Sequence, residues 1–366
     1  VSLLLLLWFQ PEFTVVLLIW ITATYLICIR IPQLNGNPRV RVMAYFMLVS
    51  LGILLLSKYA PGLYQSIYTL SAIGFGKHGY EDILVPIGVS YFAFRFMHVI
   101  ADAYRGQLAR YGFVEFCSYC LFFPIILAGP IERIQHFMEN RESRFSWSSS
   151  AAGIERIGLG LAKKLFLVNF LLIGLVDRSV VDAFSVSPEE SVSLVRLWLF
   201  LLLSFLIAYL DFSAYSDIAI GTSRLFGFRI AENFRFPIFR RNLSEFWQCW
   251  HISLSSWCRD YVFLPVFAST RNLYVALFAS MISIGLWHDI SVNWLIWGAL
   301  HAAGLSILKR WGGLYQRTGL GRGPVGHALG VVFTVLFVSW VFAFVAIPEF
   351  DTALRVFLYA ASGFKL

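Results

Sequence analysis

Val192-Ser-Leu-Val-Arg-Leu-Trp-Leu-Phe-Leu-Leu-Leu-Ser-Phe-Leu-Ile-Ala-Tyr-Leu210 runs without a break into Asp211-Phe-Ser-Ala-Tyr-Ser-Asp217. The first run is long enough to cross a hydrocarbon core, which takes about 20 predominantly apolar residues as a helix. Lipid offers no water to the backbone, so a run of this kind is helical; the polar–apolar alternation of barrel strands is absent. Acidic side chains placed directly after it are costly near membrane depth and must face protein or water. That pairing of a greasy run with polar chemistry at its end decides the fold class: all-α, a polytopic membrane protein.

Outward from this stretch the pattern recurs. Residues 1–8 read as the end of a span, and 13–29, 43–56, 113–127, 154–176 and 328–346 as further helices. Residues 273–287 and 292–308 read as a tight hairpin. Segment 59–79 is broken by Gly, Tyr and Pro and is expected to be partly re-entrant. Segment 83–101 is apolar but carries Arg95 and His98, so part of it must face protein. The expectation is about nine to eleven transmembrane helices, with re-entrant or interfacial segments, in one membrane domain over 1–366. The chain begins at Val1 with no basic leader or cleavage site, and reads as a piece that has lost its first span or two.

Composition agrees. Of 366 residues 58% are apolar and only 14% charged, against about a quarter charged in soluble domains, and mean hydropathy is +0.71. The net charge of +8 sits in short loops at 30–41, 132–144, 224–241 and 309–322. All four can share one face, which the positive-inside bias makes cytoplasmic; nucleic acid is not implied. The five cysteines form no disulfide framework, and Cys117-x-x-Cys120 lies in an apolar run with no further ligands nearby, which reads as packing. No metal site, Walker loop, dinucleotide fingerprint or nucleophile elbow is present.

The candidate chemistry lies between Asp211 and His301. His288 ends the apolar run 273–287; a buried imidazole stays neutral there and can serve as general base toward a hydroxyl. His251, 37 positions earlier, reaches it only if separate segments converge, and is read as orienting the substrate or sharing the proton transfer. Trp247, Trp250 and Trp257 recur at spacings of three and seven and suggest one aromatic helix face. Asp211, Tyr215 and Asp217 read as lining a polar path or holding a loop by Asx-type bonds; Trp287 and Asp289 flank His288. Arg259 and Asp260 read as a pair or cap. His98 and His301 read as satisfied packing residues.

Taken in order, these pieces resemble the membrane-bound O-acyltransferase (MBOAT) family, in the bacterial branch that holds the alginate O-acetylase and teichoic-acid D-alanyl transfer membrane proteins. The resemblance runs from Pro86-Ile-Gly-Val-Ser-Tyr-Phe-Ala-Phe-Arg95 through Asp102-Ala-Tyr-Arg-Gly106 and Phe123-Pro-Ile-Ile-Leu-Ala-Gly-Pro-Ile-Glu-Arg133. It continues through Gly158-Leu-Gly-Leu-Ala-Lys-Lys164, the Asp211–Gly221 block, Asn233-Phe-Arg-Phe-Pro237, residues 247–260 and Gly285-Leu-Trp-His288. Two positions depart from the pattern: Cys249 stands where a basic residue is usual, and Asp289 where glycine is.

The resemblance implies that His288 is the catalytic histidine and that His251 holds the second, polar position. It implies transfer of an acyl group, in the first instance acetyl, from a cytoplasmic thioester (acetyl-CoA or an acylated carrier protein) to a hydroxyl reached from the opposite side. No bound cofactor is implied. Its setting would be modification of an exported polysaccharide at a bacterial inner membrane, with an SGNH-type or other acceptor partner outside. D-alanyl transfer toward teichoic acid is the competing reading. A proton-coupled transporter would predict paired carboxylates within spans and inverted repeats, and neither is evident.

Overall fold

The computed structural model describes residues 2–70, 88–126, 129–141, 146–185, 192–318 and 323–363; of 60–70 and 313–318 only the backbone is described. The described residues are helical and contain no strand. Among the described residues, five segments are long and apolar enough to cross a membrane: Phe13–Gln33, Asn37–Tyr59, Trp147–Leu175, Leu194–Leu225 and Gly323–Ala346. The remaining helices are shorter or more polar, so the longer list of spans read from the sequence divides into these five and a set of broken segments. Contacts cluster into two compact units, 1–153 with 222–231, and 154–221 with 232–366.

The first unit holds α1 (Ser2–Phe9), α2 (Pro11–Arg30), α3 (Asn37–Leu70), α4 (Val89–Arg105), α5 (Phe113–Cys120) and α6 (Ile134–Glu139). Pro61 does not break α3, which continues to Leu70; the rest of the expected re-entrant segment, 71–79, lies outside the described residues. The span expected over 113–127 is not one. The helix α5 is 8 residues long, about 12 Å at 1.5 Å per residue, and gives way to a 3₁₀ turn at Phe123–Ile125. Pro124 has no N–H to continue a helix, and an interrupted helix leaves carbonyls without partners. The guanidinium of Arg95, fully buried on α4, supplies them: Nη1 donates to Cys120 O at 3.0 Å and Nη2 to Ile125 O.

His98 is the satisfied packing residue expected. The Ile134 N–H donates to its Nε2 at 3.4 Å, so its Nδ1–H donates to Phe94 O at 3.3 Å. Buried Glu132 accepts the Ala231 N–H at 2.7 Å and pairs with His136 at 2.5 Å. That hydrogen bond holds the His136 imidazole above its ordinary range.

The second unit begins within α7 (Trp147–Leu161), which continues as a π-helical stretch, Ala162–Leu172, and a 3₁₀ turn. It then holds α8 (Ser179–Ser185), most of α9 (Leu194–Leu225), α10 (Leu243–Trp247), α11 (Ile252–Cys258), α12 (Leu264–Thr270), α13 (Leu273–His288) and α14 (Val292–Thr318). The chain closes with α15 (Gly323–Val341), α16 (Ala343–Ala346) and α17 (Phe350–Ser362). The last of these is amphipathic and was not anticipated; Trp340 donates to Phe357 O at 2.8 Å and stacks on its ring at 4.1 Å.

Asp211–Asp217 lies inside α9, not in a loop after it. The Asx reading therefore fails, and another arrangement satisfies the carboxylates. A Cβ on Gly160 would meet Ala214 O at 2.7 Å, so the two backbones run in contact there. Asp217 pairs with both Arg156 and Lys163 at 2.5 Å, Arg156 also holds Glu232 at 2.6 Å, and Lys164 pairs with Asp211 at 2.5 Å. Charge buried beside lipid is tolerable when matched in this way.

The expected hairpin is α13 and α14. Glycines set its spacing, as small residues do where membrane helices approach closely. A Cβ on Gly285 would lie 2.3 Å from Trp294 O, and one on Gly298 would lie 2.7 Å from Met281 O. Gly298→Val is expected to force the helices apart at a cost of about 1–3 kcal/mol, the usual range for overpacking. Thermal unfolding of the detergent-solubilised protein checks this; an unchanged midpoint rejects the packing argument.

Candidate active site

Between Asn233 and His251 the chain folds back on itself. The Arg235 N–H donates to Cys249 O at 3.0 Å, and the Ile252 N–H to Asn233 O at 2.9 Å. This clasp breaks the helix that the tryptophan spacing suggested. Trp247 closes α10 and His251 caps α11 in the left-handed region at φ 42°, ψ 53°. Trp257 lies on the separate helix α11 and packs on Tyr261 at 5.0 Å. A left-handed residue other than glycine costs about 1–2 kcal/mol and persists only where the surroundings impose it. Here they turn the imidazole inward, leaving His251 only 2% exposed.

The His251 ring is fixed by Asn233. The Asn233 Oδ1 accepts from the Ser253 hydroxyl at 2.8 Å and the Ser253 N–H at 3.4 Å, while its Nδ2 donates to Ser216 Oγ at 3.1 Å. An oxygen at Oδ1 requires His251 Nδ1, 3.1 Å away, to be the donor. A neutral imidazole with its proton on Nδ1 has an accepting lone pair on Nε2. That Nε2 is buried and has no hydrogen-bond partner among the described residues.

A cavity of about 300 Å³ opens beside it within the second unit. Its polar lining is His251, His288, His301 and Asp211, and its walls include Phe205, Trp247, Trp250, Trp294 and Trp297. The convergence that sequence spacing left open is real. His288 enters from the end of α13, half-buried, stacked on Trp294 at 4.4 Å and against Trp287 at 4.6 Å. Trp287 also meets the His251 ring at 6.1 Å, so one indole lies against both imidazoles.

Of the candidate residues, His288, His251, Asp211, Trp247 and Trp250 share this cavity, and Trp287 bridges the first two. Tyr215, Asp217 and Asp289 are not in its lining. Asp217 is occupied by its two cations, and Asp289 caps α13 through its N–H to Gly285 O at 3.1 Å. Arg259 and Asp260 pair at 2.7 Å.

Sequence reasoning missed Asn233 as the partner of His251, and placed His301 among packing residues. The signal for His301 was present: Trp294, Trp297 and His301 recur at spacings of three and four, which sets them on one helix face. Asn233 is marked only as the first residue of the motif Asn233-Phe-Arg-Phe-Pro237, with nothing to tie it to His251.

Buried His251 and half-buried His288 thus meet in an aromatic-walled cavity. The family description MBOAT, membrane-bound O-acyltransferase family, matches residues 40–349, and the chain belongs to that family. With several apolar helices long enough to span, it is a multi-pass membrane protein. It is 34% identical over 248 residues, 66% of this chain and 46% of the relative, to a probable alginate O-acetylase AlgI of Pseudomonas aeruginosa. It is 30% identical over 250 residues, 64% of this chain and 59% of the relative, to a teichoic acid D-alanyltransferase of Streptococcus thermophilus. A peptidoglycan O-acetyltransferase of Helicobacter pylori is 25% identical over 252 residues, 67% of this chain and 46% of the relative. The chain spans about half the length of the curated relatives it matches.

Proposed function

We propose that the protein transfers an acetyl group from a cytoplasmic thioester, acetyl-CoA or an acylated carrier, to a hydroxyl destined for an exported cell-envelope polysaccharide. The observation that carries this reading is the meeting of His288 and His251 in one aromatic-walled cavity. His288 takes the proton as the hydroxyl oxygen attacks the thioester carbonyl carbon. His251, whose Nε2 can only accept in the tautomer that Asn233 selects, receives the hydroxyl's hydrogen bond as the acceptor enters; the O–H then turns to His288, which takes its one proton as the oxygen attacks. When the intermediate collapses, the C–S bond breaks and His288 returns the proton to the leaving thiolate. A thioester is reactive enough for this without a resident metal or cofactor.

Acetyl is preferred over D-alanyl because Asp211, which lines the cavity, is already ion-paired to Lys164. An alanyl ammonium would have to displace that lysine to find a countercharge. The similarity to a D-alanyltransferase keeps the second reading testable. The setting is the bacterial inner membrane, with an SGNH-type or other acceptor protein passing the group on outside. Mass spectrometry of the surface polymer from cells with and without the protein tests this. An acetyl increment that depends on the protein is expected, whereas a D-alanyl increment rejects the donor assignment and no increment rejects acyl transfer to the polymer.

A further inference from the structure

We infer that His301 is the hydrogen-bond donor that receives the negative charge of the acyl carbonyl oxygen during transfer. The inference rests on the acyl-transfer reading and goes beyond it by assigning the oxyanion partner. His301 is 1% exposed on α14 and lines the same cavity as His251 and His288. Trp247 donates its indole N–H to His301 Nδ1 at 3.3 Å. An indole nitrogen only donates, so Nδ1 is bare and the neutral ring carries its proton on Nε2. That Nε2 has no hydrogen-bond partner among the described residues, although a buried donor left unsatisfied is costly and ordinarily avoided.

The surroundings hold the ring as well as they set its tautomer. Trp247 meets it edge-on at 5.2 Å, Trp297 lies at 4.6 Å, and Phe337 closes the far side at 5.7 Å. His251 and His301 are therefore opposites: both rings line the cavity, one with a bare Nε2 and the other with an Nε2–H. The reaction needs both. As the hydroxyl oxygen bonds to the carbonyl carbon, the C=O π pair moves onto oxygen and the hydroxyl proton goes to His288. The oxyanion needs a donor in a site shielded from water, where such a bond is worth most. Collapse re-forms C=O, expels the thiolate and returns the proton from His288 to sulfur. Atoms balance as thioester plus alcohol giving ester plus thiol, with His301 keeping its proton throughout.

Two substitutions separate this role from packing. In His301→Asn the side-chain oxygen can stand in for Nδ1 and keep the Trp247 bond, but nothing occupies the Nε2 position. In His301→Gln an amide N–H returns near Nε2. Membranes carrying the full chain or each variant at matched abundance are supplied with acetyl-CoA and an alginate oligosaccharide, and thiol release and ester formation are followed. The Asn variant is expected to lose about 10²–10³-fold in kcat, the size seen when one oxyanion donor is removed, with KM for acetyl-CoA nearly unchanged. The Gln variant is expected to recover at least tenfold of that loss. Melting temperatures of the solubilised variants are read alongside. Wild-type kcat in the Asn variant, or losses in both variants that track melting, overturns the His301 assignment alone. Absence of ester formation by the unaltered protein overturns the acyl-transfer reading, and the assignment with it.

Discussion

His288→Ala is expected to lower acyl transfer by about 10²–10⁴-fold, the span usual for loss of a general acid–base group. The group sits at the last position of α13, half-buried, with its ring held between Trp287 and Trp294. Truncation removes the acceptor of the hydroxyl proton and the donor that protonates the leaving thiolate. His251 Nε2 is also a bare acceptor, since Asn233 holds its Nδ1 proton, so the residual activity within that range is expected to run through it. The fold should tolerate the change, since the α13 cap is the backbone N–H of Asp289 bonding to Gly285 O and does not use the imidazole. Acylated polymer measured at equal membrane abundance checks this. Activity within a few-fold of the unaltered protein would remove His288 from the reaction.

The second large effect is expected for Asn233→Leu, a residue that touches no reacting atom. Leucine is close to asparagine in size but cannot accept from His251 Nδ1 or the Ser253 hydroxyl, nor donate to Ser216 Oγ. The His251 ring is then free to carry its proton on either nitrogen and to rotate, so Nε2 no longer holds the attacking hydroxyl. Small misplacements of a reacting group cost about 10²-fold, and a fall in kcat of that order is expected. Asn233→Asp keeps an acceptor for Nδ1 and should retain much more activity than the leucine variant. A purely structural role for Asn233 would instead leave the two variants equally impaired, in proportion to their loss of thermal stability.

The charge matching along α9 belongs to the same logic of positioning. Arg156, Gly160, Lys163 and Lys164 bring cations against Asp211 and Asp217, with the glycine allowing the backbones to meet. Asp217 is fully engaged there, which is why it serves the scaffold and not the cavity. Asp211 reaches both: it lines the cavity and holds Lys164. The two carboxylates are six positions apart in sequence, and periodicity alone does not distinguish their duties.

What the sequence determined by itself is local. Runs of about 20 apolar residues specify helices in lipid because the backbone has no other partner there, and the ordered motifs identify the family. His288 at the end of the shorter apolar run 273–287, and His251 in a tryptophan-rich polar segment, stand out as candidates because polar groups in such surroundings are costly. Tertiary structure decided the rest. Whether 113–127 spans depended on Arg95 reaching across to the carbonyls of a broken helix. Whether 247–257 is one helix depended on the clasp to 233–235 that turns His251 inward. The tautomer of His301, on which its proposed role rests, depended on a hydrogen bond from Trp247, 54 positions away. Each of these is a pairing between segments remote in sequence, and such a pairing is set by side-chain chemistry meeting in space, which helical periodicity does not encode.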